Sequence, residues 1–389
     1  MGLIPRSVIQ RRWLEAIARI EFGKMTFVEP DGTEHTVTGP KPGPKARFVV
    51  KDWDVLQRLV ARGDIGLGED YIAGSWQTDS VENLITLFLL NLDYLEGFAH
   101  GTLWNRLAFI AMNTLIRRNS ESGSRRNIEA HYDVGNDFYA LWLDETMTYS
   151  SALFKAPDVA LADAQRAKYG RILDKVATKR ANVLEVGCGW GGFAESAVAR
   201  DHNVTGITIS PAQHGFATKR LGGKADIRLE DYRKTKGQFD AIVSIEMFEA
   251  VGERYWPQYF QTLAERLKRG GRAVVQTITV RDDIFPNYRT RSDFIRHYVF
   301  PGGMLPSLAR FKQEAERAGL KAVDVFSFGQ DYAHTLRDWS QRQRAAEKNI
   351  RDLGHKDPFL RNWQFYLGMC AAAFAVGRTD VHQVELAHA

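Results

Sequence analysis

The chain has 389 residues, of which 44% are hydrophobic and 25% charged, an ordinary globular composition with room for two domains. No stretch reaches the roughly 20 apolar residues that cross a bilayer. The two cysteines, Cys188 and Cys370, give neither a disulfide framework nor metal-ligand spacing. The net charge of +5, with a pI of about 9.0, suits an anionic partner, either nucleic acid or a phospholipid surface.

Residues 1–120 read as a smaller, mixed N-terminal domain. The N-terminus lacks the apolar core of a signal peptide, so a reducing cytoplasm is expected. A helix is predicted over 7–20, with Arg11, Arg12 and Arg19 on a basic face. Residues 21–38 alternate in polarity around Asp31-Gly32, as a hairpin does. Pro40, Pro42, Gly43 and Pro44 predict a stiff connection. A helix over 52–61 and a glycine-rich loop over 63–69 lead to Tyr71–Trp76. Residues 84–116 carry two apolar helical segments, with Arg106, Arg117, Arg118, Arg125 and Arg126 at and beyond their end. Both a core helix pair with a solvated basic end and an interfacial surface meeting lipid phosphates fit that pattern. Residues 119–123 predict the linker to a second domain, 121–389.

A polar and aromatic segment begins at His131-Tyr132-Asp133 and runs to Thr148-Tyr149-Ser150-Ser151. It suits either a lid over a ligand or a helix packed on the domain edge. Val183, Leu184 and Val186 then form an apolar run, read as a strand buried on both faces. Gly187, Gly189, Gly191 and Gly192 follow it. They predict a tight turn, because glycine accepts positive φ and lets a ligand approach the backbone. A helix from Phe193, a strand over 203–208 and the Ser210-Pro211 cap pair complete half of a nucleotide-binding α/β unit. Gly192 completes the dinucleotide pattern G-x-G-x-x-G, which alone is weak evidence. Glu185 decides the reading: it turns Gly-Cys-Gly-Trp-Gly into E-x-G-C-G-x-G, the pattern of S-adenosylmethionine (SAM) methyltransferases.

Farther on, strands are predicted over 225–229, 239–245, 272–280 and 321–328, with a last strand over 370–378. An acid among Glu230-Asp231-Tyr232 is placed to take an adenine amino group. Glu246 and Glu249 are expected to share one face of a helical turn at a strand end, placed for catalysis. Phe300 to Pro306 reads as a rigid loop.

Together these motifs resemble the cyclopropane-fatty-acid synthase family, SAM-dependent enzymes acting on double bonds of acyl chains. The resemblance rests on His131 to Tyr139, Thr148 to Ser150, Glu185 to Gly191, Ile207 to Gln213, Ser244 to Gly252 and Phe300 to Pro306, with Gly63 to Trp76 ahead of them. It implies an α/β fold: a Rossmann-like class I methyltransferase domain with a smaller, mixed N-terminal domain. SAM is then expected at Tyr149, Ser150, Glu185, Gly187, Cys188, Gly189, Gly191, Thr208, Ile209, Gln213, Asp231 and Tyr232. The family also holds bicarbonate beside the reacting carbon. The matching positions here are Ser151, Glu249, Gln276, Ile278 and Tyr332, where Ser151 replaces a cysteine and Gln276 a histidine. Both replacements still hydrogen-bond an anion, but neither titrates near neutral pH as imidazole does. Cys370 matches a cysteine suspected as a nucleophile; its apolar neighbours read better as those of an inert core thiol.

The implied substrate is the unsaturated acyl chain of a phospholipid, met at the inner face of an anionic membrane, with a homodimer as the implied assembly. Nucleic acid is disfavoured, since the basic residues lie beside apolar helices and not on aromatic-studded strands. Proton loss from the incoming methyl group closes a cyclopropane ring; loss from a neighbouring carbon leaves a methyl- or methylene-branched chain. The base is expected to be bicarbonate held by Glu249 and Tyr332, or Glu249 itself. A small-molecule N- or O-methyltransferase stays open as a third reading.

Overall fold

A computed structural model describes residues 6–95, 134–176 and 180–389. The predicted linker, the arginine cluster from Arg106 to Arg126, and His131-Tyr132-Asp133 lie outside these residues.

Two compact units are present. The first falls within Met1–Thr114 and takes in two later segments, Thr290–Val299 and Glu347–Gly377. The second comprises Leu115–Arg289, Phe300–Ala346 and Arg378–Ala389. A single boundary near residue 120 is therefore too simple, because the chain returns twice to its first unit.

In the first unit, β1 (Phe22–Val28), β2 (Glu34–Thr38), β3 (Lys41–Val50) and β4 (Trp76–Gln77) form a sheet in the order β2-β1-β3-β4. The hairpin over 21–38 is present as β1 and β2, antiparallel. The stiff connection at Pro40–Pro44 is instead the start of β3, which runs parallel to β1 with its register shifted between Phe22 and Lys24. That irregularity houses the prolines: a Cβ on Gly23 would lie 2.4 Å from the carbonyl oxygen of Pro44. The predicted loop at 63–69 lies in a helix, Asp64–Ile72. Its Gly68 is there for space, since a Cβ would sit 2.3 Å from the Phe294 ring. Cys370 is not on a strand but inside the helix Asp357–Ala375, where burial pushes its thiol pKa up. The apolar run Ala371 to Phe374 was ambiguous on period alone, and alanine favours helix.

The second unit carries a seven-stranded sheet. Its strands are β5 (Asn182–Val186), β6 (Asn203–Thr208), β7 (Asp226–Leu229), β8 (Phe239–Ile245), β9 (Leu267–Val280), β10 (Leu320–Ser327) and β11 (Thr379–His388). The order is β10-β11-β9-β8-β5-β6-β7. Strands β5 to β9 pair in parallel, and β11 inserts antiparallel between β9 and β10. This is the Rossmann-like class I methyltransferase fold. Val183, Leu184 and Val186 are all buried, as a central parallel strand requires. From β5 the chain winds first toward β7 and then back through β8. Ligands of such sheets sit at this reversal, beyond the carboxyl ends of the strands.

Candidate active site

The turn after β5 has the predicted conformation. Gly187, Gly189 and Gly191 all have positive φ, at 84°, 52° and 84°. A Cβ on Gly187 would lie 2.7 Å from the Met247 side chain, whereas one on Gly189 would meet nothing within 4 Å. The backbone at Gly189 is thus open to close approach by a ligand. Cys188 N and Gly187 N both donate to Ile207 O, at 2.9 and 3.0 Å, tying the turn to β6. Burial raises the Cys188 thiol well above its usual range, leaving backbone placement as its part in the turn.

Glu185, at the end of β5, is buried, and its Oε2 has no hydrogen-bond partner among the described residues. Burial also raises its carboxyl well above the usual range. An orphaned buried acceptor beside an open glycine backbone fits a ligand with hydrogen-bond donors, as SAM's ammonium and ribose hydroxyls are. At the end of β6, Thr208 Oγ1 donates to Gln213 Oε1 (2.9 Å), and Gln213 N donates to the Ser210 cap (3.3 Å). Ile209 lies between them. At the end of β7, Asp231 accepts from the backbone N and Nε of Arg233, at 3.0 and 2.8 Å. Tyr232 stacks edge-on to Tyr259. The expected SAM residues are therefore gathered at the ends of β5, β6 and β7, with Tyr149 and Ser150 on the segment that precedes them in the chain.

That preceding segment folds onto the glycine turn. Trp190 Nε1 donates to Asn136 Oδ1 (2.8 Å), and the Trp190 ring packs 5.1 Å from Tyr139. Tyr149 lies 5.2 Å from Trp339 and 5.7 Å from Trp142, and Tyr332 lies 6.2 Å from Trp339. These rings make one aromatic cluster. Other aromatic residues, those of Thr290–Val299 and of the helix Asp357–Ala375, belong to the first unit, where Phe294 packs on Phe365 at 4.7 Å.

The carboxylates sit at the end of β8, but not as one helical face. Glu246 has a left-handed backbone (φ 51°), and only Phe248–Ala250 makes a short 3₁₀ turn. Glu249 Oε1 accepts from Thr277 Oγ1 (3.0 Å) and from the backbone N of Ile278, while its Oε2 is buried without a partner among the described residues. Burial, and after it the negative charge of Glu246, pushes the Glu249 pKa up to about 8, so the group is largely protonated at neutral pH.

Ser151, Gln276 and Tyr332 converge on Glu246 rather than on Glu249. Ser151 N and Gln276 Nε2 donate to Glu246 Oε1, at 2.9 and 2.8 Å, and Tyr332 OH donates to Oε2 at 2.6 Å. The Ser151 hydroxyl turns away and donates to Ala152 O (3.0 Å). Of the set expected to hold bicarbonate, Ser151, Gln276 and Tyr332 are therefore already engaged with Glu246 and the Ile278 N–H with Glu249, an arrangement that does not fit a separate anion. Two further residues escaped sequence reasoning. Lys168 and Gln165, fully buried on the helix Leu161–Lys175, donate to Ser150 Oγ (2.6 Å) and Ser150 O (2.9 Å). Burial lowers the Lys168 ammonium pKa against the pull of Glu246. The available signal was a polar pair spaced i, i+3 in an otherwise amphipathic helix.

A family model described as mycolic acid cyclopropane synthetase matches residues 119–384. Tuberculostearic acid methyltransferase UfaA1 of Mycobacterium tuberculosis is 35% identical, covering 93% of this chain and 87% of its own length. The cyclopropane-fatty-acyl-phospholipid synthase of Escherichia coli K12 is likewise 35% identical, covering 86% of each chain. The solved mycolic acid cyclopropane synthase CmaA1, complexed with SAH and CTAB, superposes with a TM-score of 0.63 at 31% identity, covering 67% of this chain and 97% of that one. With an open glycine turn, an orphaned acid behind it and these relatives, the chain belongs to the mycolic acid cyclopropane synthetase family and is a SAM-dependent methyltransferase.

Proposed function

We propose that this methyltransferase acts on the double bond of unsaturated acyl chains in phospholipids and closes a cyclopropane ring. The observation that carries this reading is a half-buried, hydrogen-bonded carboxylate pair and an aromatic cluster that meet at Tyr332, in a fold whose cofactor end is the end of β5. When bound, SAM supplies an electrophilic methyl group on sulfur.

An alkene is a feeble nucleophile, so the chain's task is positioning and the exclusion of water. The rings of Tyr149, Trp142, Trp339 and Tyr332 offer faces that stabilise positive charge on the methylated acyl chain. A base must then remove a proton; it is proposed to be one of the carboxylates Glu246 and Glu249, with Tyr332, Gln276, Ser151 and Ile278 holding them by hydrogen bonds. Cys370 is not proposed to take part, being a raised-pKa thiol inside a helix of the first unit. The similarity to the E. coli phospholipid synthase supports the ring-closing reaction, and the +5 net charge supports contact with an anionic membrane face. Among the described residues no helix is long and apolar enough to cross a membrane.

A second reading shares the substrate but ends in a methyl- or methylene-branched chain. It is favoured by Ser151 and Gln276, and by similarity to a relative named as a methyltransferase of tuberculostearic acid. Incubation with SAM and unsaturated phospholipid vesicles, followed by mass spectrometry and proton NMR of the acyl chains, separates the two. Upfield cyclopropyl protons are expected. Vinyl-methyl or exomethylene signals move the assignment to the second reading, and no lipid product overturns both.

A further inference from the structure

Carboxylate and bicarbonate present the same face to a protein: a planar carbon, two oxygens and one negative charge. At the end of β8 that face belongs to Glu246, gripped by Ser151, Gln276 and Tyr332, which lie 95, 30 and 86 residues away in the chain. A dissolved anion in the same cage would set a second negative charge against the first, among donors already engaged. We infer that Glu246 supplies from the chain itself the anion otherwise expected as bicarbonate, and that it takes the proton from the methylated acyl chain. This rests on the methyl transfer to acyl chains proposed above.

Four further features agree. Glu246 keeps a left-handed backbone at φ 51°, a strain that persists only where the surroundings hold it. The Gln276 amide is oriented by a relay: Gln383 Nε2 donates to Gln276 Oε1 (3.1 Å), and Arg171 Nη1 donates to Gln383 Oε1 (3.0 Å). Gln276 Nε2 is thereby left to face the carboxylate. A fixed donor suits a carboxylate built into the chain, which accounts for the missing histidine. At Ser151 the backbone N–H does the donating, so no cysteine side chain is needed there. Finally, among the described residues Oε1 accepts two hydrogen bonds but Oε2 one, from Tyr332, which leaves Oε2 a lone pair.

The proton step balances without another reactant. After methyl transfer the acyl chain carries one positive charge. Glu246 takes a proton from carbon, and the C–H electron pair closes the ring or forms a new double bond. The acyl chain is then neutral, and Glu246, now a carboxylic acid, returns the proton to solvent.

The test uses the full chain with SAM, in buffer freed of carbon dioxide and then resupplied with ¹³C-bicarbonate. Wild type is expected to turn over equally in both and to show no saturable bound ¹³C signal. Glu246→Gln is expected to lose at least about 100-fold in kcat, the usual worth of a positioned base. It should keep its SAM affinity. Glu246→Gly should fold, because its φ favours glycine, and should bind ¹³C-bicarbonate and regain turnover with it. Saturable bicarbonate on wild type, a wild-type rate that falls on depletion, or an active Glu246→Gln overturns the inference. So does a folded Glu246→Gly that ignores the anion. If wild type makes no lipid product at all, the reading under Proposed function fails. The ¹³C binding comparison between wild type and Glu246→Gly still decides this one.

Discussion

Around Trp76, in the first unit, large rings meet one another: Phe48 at 5.3 Å, Tyr71 at 4.7 Å and Phe365 at 6.3 Å. The indole N–H is spent on Leu67 O at 2.8 Å. Around Glu246, in the second unit, a buried ammonium and a buried amide meet two half-buried carboxylates at a strained turn. Lys168, Gln276 and Ser151 there are as deeply buried as Trp76. Equal burial serves opposite ends. Removing apolar area from water stabilises the fold, whereas removing charge from water costs stability and yields reactivity.

The sharpest way to break this contrast is at its stable pole. Trp76→Ala should cost about 3–5 kcal/mol, read by denaturant unfolding; a loss under 1 kcal/mol would mean the ring cluster is not a core. At the reactive pole the two acids should separate in steady-state kinetics. Gln at position 249 keeps an acceptor for Ile278 N and Thr277 and resembles the protonated acid. Glu249→Gln should therefore stay within about tenfold of wild-type kcat, far above the base-removing change at Glu246. Equal losses would merge their roles.

A third prediction concerns pH. The folded-state pKa of Glu249 is raised to about 8 from a usual 4.5, so the folded protein binds more protons than the unfolded chain between those values. Stability should fall as pH rises across that window. Thermal unfolding of wild type should thus drop more steeply from pH 5 to pH 8 than that of Glu249→Gln, and the variant should be the more stable at pH 8. Parallel pH profiles would show Glu249 to be ionised throughout. The smallest effect is expected at Ser210→Ala, which removes the cap accepting from Gln213 N and should cost about 1 kcal/mol.

The sheet's central half was legible because its signals are local. An apolar run, a glycine turn and a Ser-Pro cap each declare themselves within a few residues, and β5, β6 and the cap stand where they were expected. The failures came where distant residues decide. Gly68 reads as a loop breaker until Phe294 arrives beside it, and Pro42–Pro44 read as a stiff connection until β3 takes them in as an irregularity of its pairing with β1. Glu249 was visible as an acid at a strand end. Glu246 was equally visible, but its part was not, since its three donors among the described residues come from remote segments. Ser151 was identified for a hydroxyl that faces elsewhere, and its contribution comes from a backbone group every residue but proline owns. Chemistry carried by the main chain leaves no letter in the sequence.

The discontinuity of the first unit has a bearing on how the protein is made. Its opening helices leave the ribosome long before Asp357–Ala375, the helix that packs on Val81–Leu90 so closely that a Cβ on Gly368 would lie 2.8 Å from Val81. The unit whose translation begins first is thus completed only near the end of the chain. Until then its apolar helix faces wait uncovered, a period in which nascent chains of this architecture are most exposed to chaperones and to aggregation.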